Sequence, residues 1–150
     1  MIPQAHPDPT ATLQRLVDLF QTLTPQRVVE LRQYYAQDVW FKDPFNEVHT
    51  LAEVEAIFSH MFVQLHQPRF VVRECVVQGQ QVFLTWDFLF HLRRWDATRL
   101  QTIRGATHLR LDDQGLVCMH RDYWDAAEEL YEKLPWVGAL MRWLKSRARS

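Results

Sequence analysis

The hydrophobic pattern of this chain changes from a mainly helical to a strand-like period near residue 65. Up to about residue 65 apolar residues recur at helical spacing, as in Val54, Phe58 and Met61. After that point four segments have the alternating, β-branched and aromatic composition of strands, and short turn signals separate them. These segments are Phe70–Val77, Gln81–Leu92, Leu100–Leu111 and Leu116–Trp124. Helices and strands that are segregated along a chain favour an α+β fold.

Capping residues mark the helices of the first half. Three prolines in residues 1–9 predict a loose tail, and a first helix follows. Thr24 with Pro25 predicts the start of a second helix, which we expect to reach Tyr35. The T-x-x-E pattern at residues 50–53 is a capping box for a third helix.

Two further prolines predict boundaries. The stretch Asp38–Asp43 alternates like a strand, and Pro44 after it predicts a short edge strand. Pro68 predicts the end of the third helix. The long strands that follow form a meander. A curved antiparallel sheet of this kind, wrapped around a helix, encloses an apolar pocket with one mouth. With 150 residues, the chain has the size of one domain.

The C-terminal segment, residues 134–150, combines apolar side chains with basic charge. From Lys133 to Ser150 there are five basic residues and no acidic one. An amphipathic basic helix of this kind can make a weak contact with a membrane surface. It can equally pack on its own domain or on a dimer partner, with its basic end solvated. Both interpretations stay open at this stage.

Composition excludes several classes of protein. Seventeen Lys and Arg against eighteen Asp and Glu exclude a globally basic nucleic-acid-binding protein. Cys75 and Cys118 form no C-x-x-C motif, and we expect reduced thiols. We see no signal-peptide pattern and no apolar run long enough for a membrane span, and therefore expect a cytoplasmic protein. No metal-ligand spacing, phosphate loop or nucleophile elbow is present, so we expect neither a metal nor a cofactor.

Two stretches resemble a known family. Tyr34–Pro44 (YYAQDVWFKDP) is similar to the LFADDATVEDP segment of ketosteroid isomerases. Arg121–Asp125 (RDYWD) is similar to the RDYFD segment of limonene epoxide hydrolases. The order of elements also agrees from about residue 12 to residue 132. The chain therefore resembles the SnoaL-like proteins of the nuclear-transport-factor-2-like superfamily. This resemblance implies a cone-shaped antiparallel sheet wrapped around N-terminal helices, with a C-terminal helix.

The resemblance also implies catalytic carboxylates. Asp43 falls where the isomerases have their general base. Asp122 and Asp87 match the two aspartates of the epoxide hydrolases, of which the first activates water and the second protonates the epoxide oxygen.

Other family positions differ in this chain. The tyrosine and the protonated aspartic acid of the isomerases fall near Leu16 and Thr107. Thr85 replaces the bridging arginine of the hydrolases, and Phe41 and Asp43 replace their water-holding tyrosine and asparagine. Neither reaction is therefore carried over unchanged.

Strand parity supports one part of this site independently. Alternate residues of a strand share a face, so His120, Asp122 and Trp124 point the same way. Imidazole and carboxyl groups in one pocket are the usual groups of general acid–base catalysis. A structural interpretation competes with this one. Asp122 could cap the following helix, His120 could be a hydrogen-bonded core residue, and Asp43 could form a turn before proline.

For Asp87 two arguments disagree. Trp86 and Phe88 belong to an entirely apolar face of the strand, and burial would turn that face into the cone and leave Asp87 outside. The resemblance places Asp87 inside. Both arguments hold if the outer face of the sheet is buried in a homodimer, as is common in this superfamily, or if a β-bulge shifts the register.

We therefore expect a cofactor-free acid–base enzyme, of isomerase, cyclase or hydrolase type, that acts on a small apolar molecule. Asp122 and Asp43 would accept the proton, and His120 or Asp87 would donate it. The alternative is a non-catalytic module that binds a hydrophobic ligand such as a lipid or polyketide. In both cases we expect further pocket contacts from Phe20, Trp40, Phe41, Phe58, Phe62, Thr85, Thr107 and Trp124.

Overall fold

The computed structural model describes residues 8–92, 98–129 and 135–148. Its α-helices are α1 (Pro9–Gln21), α2 (Leu51–Gln64), α3 (Ala126–Glu129) and α4 (Pro135–Ala148), and a 3₁₀ helix spans Val28–Gln33. Its strands are β1 (Tyr35–Lys42), β2 (Glu47–Val48), β3 (Leu65–Gln78), β4 (Gln81–Leu92), β5 (Leu100–Leu111) and β6 (Val117–Tyr123).

The strands form one six-stranded curved sheet in the order β2-β1-β6-β5-β4-β3. Strands β3 to β6 pair antiparallel with their neighbours in sequence, as predicted for a meander. Strand β1 pairs parallel with β6 and antiparallel with the two-residue β2. The predicted α+β cone is confirmed. The prediction that Asp38–Asp43 is an edge strand is wrong, because the turn after Lys42 brings Glu47 and Val48 back as the edge.

The core lies between the sheet and the helices α1 and α2. The inward face of β4 consists of Val82, Leu84, Trp86, Phe88 and Phe90, all of them buried. Buried residues of both helices join these side chains in one core cluster, which includes Leu16, Phe20, Val54 and Phe58. Burial of a large apolar side chain contributes about 1.5–3 kcal/mol relative to exposure. This burial therefore decides which face of β4 turns toward the helices.

The predicted second helix is shorter than expected and of another type. Val28 and Leu31, its two buried residues, are three positions apart, which is the repeat of a 3₁₀ helix. The backbone N–H of Tyr34 donates to the carbonyl of Leu31 at 3.0 Å and ends this turn. Tyr35 is therefore the first residue of β1 and not the last residue of a helix.

Pro68 does not end a helix, because α2 has already ended at Gln64 and β3 begins directly after it. The proline lies in the outermost strand, where a missing N–H does not interrupt the sheet. Next to it Gln67 has a φ of 50°, and the pairing with β4 shifts between His66 and Arg69. The strand thus starts five residues before the predicted Phe70, with an irregularity at the proline.

The chain ends agree only in part with the sequence analysis. Pro9 is the first residue of α1, and the Asp8 carboxylate accepts from the N–H of Thr10 at 3.0 Å, so the predicted tail of residues 1–9 is too long. Residues 1–7 and 130–134 lie outside the described part of the chain. Helix α4 leaves Leu140, Trp143 and Leu144 exposed. The membrane-surface contact stays a prediction. Within the described ranges, no helix is long and apolar enough to cross a membrane.

Candidate active site

A chain of four hydrogen bonds joins five side chains inside the cone. The hydroxyl of Tyr35 lies 2.7 Å from Nδ1 of His120, and Nε2 of His120 lies 2.8 Å from Oδ1 of Asp122. The hydroxyl of Thr107 donates to the same Asp122 oxygen at 2.5 Å. Nε1 of Trp86 donates to the Thr107 hydroxyl at 2.8 Å. The polar groups therefore form one network within an otherwise apolar core.

Strand pairing produces this arrangement. Asp122 of β6 is the cross-strand partner of Thr107 on β5, and His120 lies opposite Phe41 on the parallel strand β1. His120 and Asp122 are two residues apart and lie on the same inward face, as their spacing predicts. The cap of α3 is Asp125, whose carboxylate accepts from the N–H groups of residues 127 and 128. Asp122 therefore has no part in capping that helix.

One arrangement of protons satisfies every hydrogen bond of the network. The Thr107 hydroxyl accepts from Trp86 and donates to Asp122. If His120 carries its proton on Nε2, it donates to Asp122 and leaves Nδ1 free to accept from Tyr35. In that arrangement Oδ1 of Asp122 accepts two hydrogen bonds, from His120 and from Thr107. His120 is thus a fully bonded core residue and, at the same time, a direct neighbour of the carboxylate.

Sequence reasoning missed two members of this network, Trp86 and Tyr35, of which Tyr35 carries the titratable group. The Tyr35 side chain is almost completely buried. Burial, together with the charge of Asp122, holds the pKa of the Tyr35 phenol well above its ordinary value of 10.0. The residue therefore stays protonated and keeps its hydrogen for His120. The available sequence signal was an aromatic residue three positions before the alternating stretch Asp38–Asp43, but the predicted second helix included Tyr35.

This pKa shift predicts a pH dependence of stability. Because the folded-state pKa of Tyr35 lies above the unfolded one, its stabilising contribution is complete below about pH 10 and is lost as the pH rises further. Above that pH, the free energy of unfolding should fall more steeply for the native protein than for Tyr35→Phe. The difference in slope should approach about 1.4 kcal/mol per pH unit. Urea unfolding between pH 8 and 11 measures it, and parallel curves would contradict the argument.

Asp122 borders two adjoining cavities. The inner cavity has a volume of about 330 Å³, including its open side, and is lined mainly by apolar side chains, with His120 and Thr107 in its wall. The outer cavity has a volume of about 1190 Å³, including its open mouth. Both share Phe58, Phe70, Trp86 and Asp122. The carboxyl group therefore lies where the two spaces meet.

The predicted pocket contacts divide into two groups. Phe20, Phe58 and Thr107 line the inner cavity, and Phe41 and Trp124 line the outer one. Three predicted contacts lie outside both cavity walls, namely Trp40, Phe62 and Thr85.

Each of these three has another environment. The indole N–H of Trp40 donates to Glu47 at 3.0 Å, Phe62 packs against the core, and Thr85 is exposed on the outer face of the sheet. Conversely, the inward residues of β4 were not predicted as pocket contacts. The alternation of side chains along the strand places Trp86, Phe88 and Phe90 on one face of β4. It does not show whether that face points into the cone or away from it.

Asp43 lies in the turn between β1 and β2 and lines the outer cavity. Its Oδ1 accepts from the N–H groups of Phe45 and Asn46 at 2.7 and 2.6 Å. The side-chain amide of Asn46 lies 3.1 Å from Oδ1 and 3.0 Å from Oδ2. Asp43 is therefore both the turn-forming residue and a carboxylate in the cavity wall. No hydrogen bond joins it to Asp122 or His120 within the described residues.

Asp87 is not part of this site, and its placement inside the cone is corrected. It lies on the outer face of β4, where Oδ2 accepts from the guanidinium of Arg73 at 2.7 and 2.9 Å. The neighbouring Trp86 and Phe88 point inward and are buried. Burial of these aromatic rings stabilises the fold, whereas burial of the Asp87 carboxylate would cost free energy. The apolar face of β4 therefore turns inward.

Comparison with known proteins bears out the resemblance found in the sequence. Solved structures of the same fold include an NTF2-like protein of unknown function from Burkholderia pseudomallei, with 17% identity, a TM-score of 0.68, and coverage of 80% of this chain and 92% of that one. A candidate SnoaL-like polyketide cyclase from Jannaschia sp. CCS1 has 15% identity, a TM-score of 0.69, and coverage of 85% and 92%. An LEH-like epoxide hydrolase from M. tuberculosis has 11% identity, a TM-score of 0.63, and coverage of 81% and 85%.

These identities establish the fold and leave the reaction open. No curated protein sequence matches the chain. The model of the SnoaL-like domain family matches residues 13–120, which extend from α1 to His120 in β6. This range holds most of α1, all of α2, most of the sheet, and four of the five side chains of the hydrogen-bonded network. The chain therefore belongs to the SnoaL-like domain family.

Proposed function

We propose that this protein catalyses cofactor-free proton transfer on a small, largely apolar molecule, with Asp122 as the group that takes up and returns the proton. The proposal rests on the way in which the two oxygens of the Asp122 carboxylate are hydrogen-bonded. Its Oδ1 is held by His120 and Thr107, and no described residue donates a hydrogen bond to Oδ2. The same carboxyl group borders both cavities.

The surroundings of Asp122 suit this chemistry. Two hydrogen bonds at one oxygen fix the position of the carboxylate before a ligand arrives, and the second oxygen keeps its lone pairs for an incoming C–H or O–H group. The proton that leaves the ligand forms the Asp122 carboxylic acid, which can return it to another atom of the same molecule. The apolar walls lower the local dielectric and so strengthen the interaction of the carboxylate with developing charge.

Isomerisation, cyclisation and hydrolysis all require such a group. Two of the similar structures are a candidate polyketide cyclase and an epoxide hydrolase, so one fold accommodates more than one of these reactions. Asp43 is the weaker candidate for a proton acceptor, because both of its oxygens already accept hydrogen bonds. His120 holds Asp122 in position, since both ring nitrogens of His120 are in hydrogen bonds, one to Tyr35 and one to Asp122.

The alternative is a module that holds a hydrophobic ligand without changing it, which the mostly apolar cavity walls would also suit. Incubation in D₂O with a panel of small cyclic ketones and enones distinguishes the two functions. Under the proposal, mass spectrometry detects protein-dependent uptake of deuterium next to the carbonyl group of at least one compound. Binding by tryptophan fluorescence without any deuterium uptake across the panel would favour the binding module. The variant Asp87→Asn, which loses an outward carboxylate, should behave like the native protein.

We also propose that two copies of the chain pair through the outer face of the sheet. Because Asp87 lies outside the cone, the two faces of β4 do not by themselves require a dimer. The dimer is supported instead by apolar side chains that are exposed on the outer face of the sheet. Val76 is 63% exposed and Phe83 48% exposed, and they are cross-strand partners. The Phe83 ring stacks on His108 of the next strand, with 4.3 Å between the ring centroids.

Val76, Phe83 and His108 form an outer-face patch that suits a two-fold contact, in which the patch of one copy packs against the same patch of the other. Sedimentation should give about twice the 18.0 kDa chain mass for the native protein, and a monomer for Phe83→Glu. A native monomer at micromolar concentration would exclude the dimer.

A further inference from the structure

We infer that the ligand of the outer cavity carries a positively charged nitrogen group at one end of an apolar body. The inference rests on the proposed function, because it names the ligand class of the same cavity. It comes from the charges of the wall. Among the described residues, the wall contains two carboxylates, Asp43 and Asp122, and neither a lysine nor an arginine. The other ionisable lining residue is His60.

The remainder of the wall strengthens this preference. Eight of its residues are aromatic, namely Phe41, Phe45, Phe58, Phe70, Trp86, Phe88, Phe90 and Trp124. The faces of aromatic rings carry negative electrostatic potential and attract ammonium groups, most strongly when the ion is desolvated. Aromatic faces combined with carboxylates therefore provide a favourable site for a cation that bears hydrocarbon groups. The same walls disfavour an anion, which would meet two carboxylates and, among the described lining residues, no lysine or arginine.

The cationic end belongs at the mouth of the cavity. Asp43 lines both the outer cavity and the open groove beside it. Phe45, which is 54% exposed, contacts Trp124 edge to face, with 5.4 Å between the ring centroids. These three side chains come from two separate segments and surround the entrance. The residues of β4 that line the cavity are all apolar, and they suit the apolar body of the ligand; they are Trp86, Phe88, Phe90 and Leu92.

Two described basic residues border the groove beside this entrance, and both have other partners. Lys42 and Arg121 border the groove but not the outer cavity. Nζ of Lys42 lies 2.9 Å from the Glu47 carboxylate, and the guanidinium of Arg121 lies over the Tyr123 ring at 4.6 Å from its centroid. Their contacts therefore hold both charges outside the cavity, and the carboxylate of Asp43 is not paired with either of them.

Two probes of equal shape test the inference, phenyltrimethylammonium and tert-butylbenzene, which differ in whether the quaternary atom is N⁺ or carbon. Their dissociation constants are measured by tryptophan fluorescence or calorimetry at low salt. The native protein should bind the cation about tenfold more tightly than the neutral compound. Tighter binding of tert-butylbenzene would overturn the inference.

Asp43→Asn is the decisive variant, because an asparagine oxygen can still accept from the N–H groups of Phe45 and Asn46 and preserve the turn. The ratio of the two affinities should fall about fivefold in this variant and stay unchanged in the matched control Asp87→Asn. An unchanged ratio in Asp43→Asn would contradict the assignment of the cationic end to the mouth. Trp124→Leu provides a second test that does not alter the turn. It should weaken binding of the cation more than binding of the neutral compound, and equal weakening of both would also overturn the inference.

The outcomes separate this inference from the proposed function. A preference for the neutral probe, together with deuterium exchange that depends on Asp122, would overturn the ligand class and leave the acid–base function. A preference for the cation without any exchange would overturn the acid–base function and leave a module that binds organic cations.

Discussion

Replacement of Asp122 by asparagine is expected to lower the rate of deuterium exchange by about 10²–10⁴-fold, the usual contribution of a general acid–base group. The two side chains have the same shape. The asparagine oxygen can accept from His120 and Thr107 as the carboxylate does at 2.8 and 2.5 Å. The amide, however, cannot take up a proton at neutral pH. The substitution therefore removes the chemistry and preserves the hydrogen bonds that organise the site.

Three measurements make this result interpretable. Thermal unfolding should show that Asp122→Asn remains folded, and fluorescence titration should show that it still binds the apolar compound. Asp87→Asn removes the same charge from the outer face of the sheet and should leave the rate unchanged. An Asp122→Asn protein that binds and exchanges like the native one would exclude Asp122 as the proton carrier.

Replacement of His120 by alanine is expected to lower the free energy of unfolding by about 3–5 kcal/mol. The side chain is buried, with a relative exposure of 3% for the residue. Its ring packs against Phe41 and Phe20, with centroid separations of 4.7 and 6.2 Å. Alanine leaves a cavity there and removes the partner of the buried Tyr35 hydroxyl. The loss of packing and the unsatisfied hydroxyl act together.

The control for this prediction is His49→Ala. The His49 side chain is exposed just before α2 and lies outside the walls of both cavities. Its loss should cost less than about 1 kcal/mol, as is usual for surface substitutions. Urea unfolding of both variants gives the comparison. Similar losses in the two variants would show that the buried network contributes little to stability.

Local sequence patterns correctly predicted several features that depend on a single helix or strand. The capping box at Thr50 predicts the start of α2, and the predicted bounds of Gln81–Leu92 and Leu100–Leu111 agree with β4 and β5 residue for residue. The same holds for His120 and Asp122, since two residues of one regular strand share a face whatever lies on either side of it. The helical region 25–35 was predicted less well, because a short apolar repeat does not separate a 3₁₀ turn from an α-helix.

Such local patterns could not predict contacts between segments that are distant in the sequence. Tyr35 and His120 are 85 positions apart, and only the parallel pairing of β1 with β6 brings the phenol to the imidazole. The resemblance to epoxide hydrolases gave Asp87 an inward position. Packing against α1 and α2 instead turned the apolar face of β4 inward and left Asp87 beside Arg73.

By itself, the sequence determined the α+β class, the limits of β4 and β5, the start of α2, and the common face of His120 and Asp122. These properties follow from backbone periodicity, capping and turn chemistry, all of which act over a few residues. The tertiary structure alone decided which face of β4 lines the cone, that Tyr35 completes the network, and that Asp43 stands at the mouth with aromatic rings beside it. Those properties depend on which surfaces are buried against each other, and burial is settled by the packing of the whole chain.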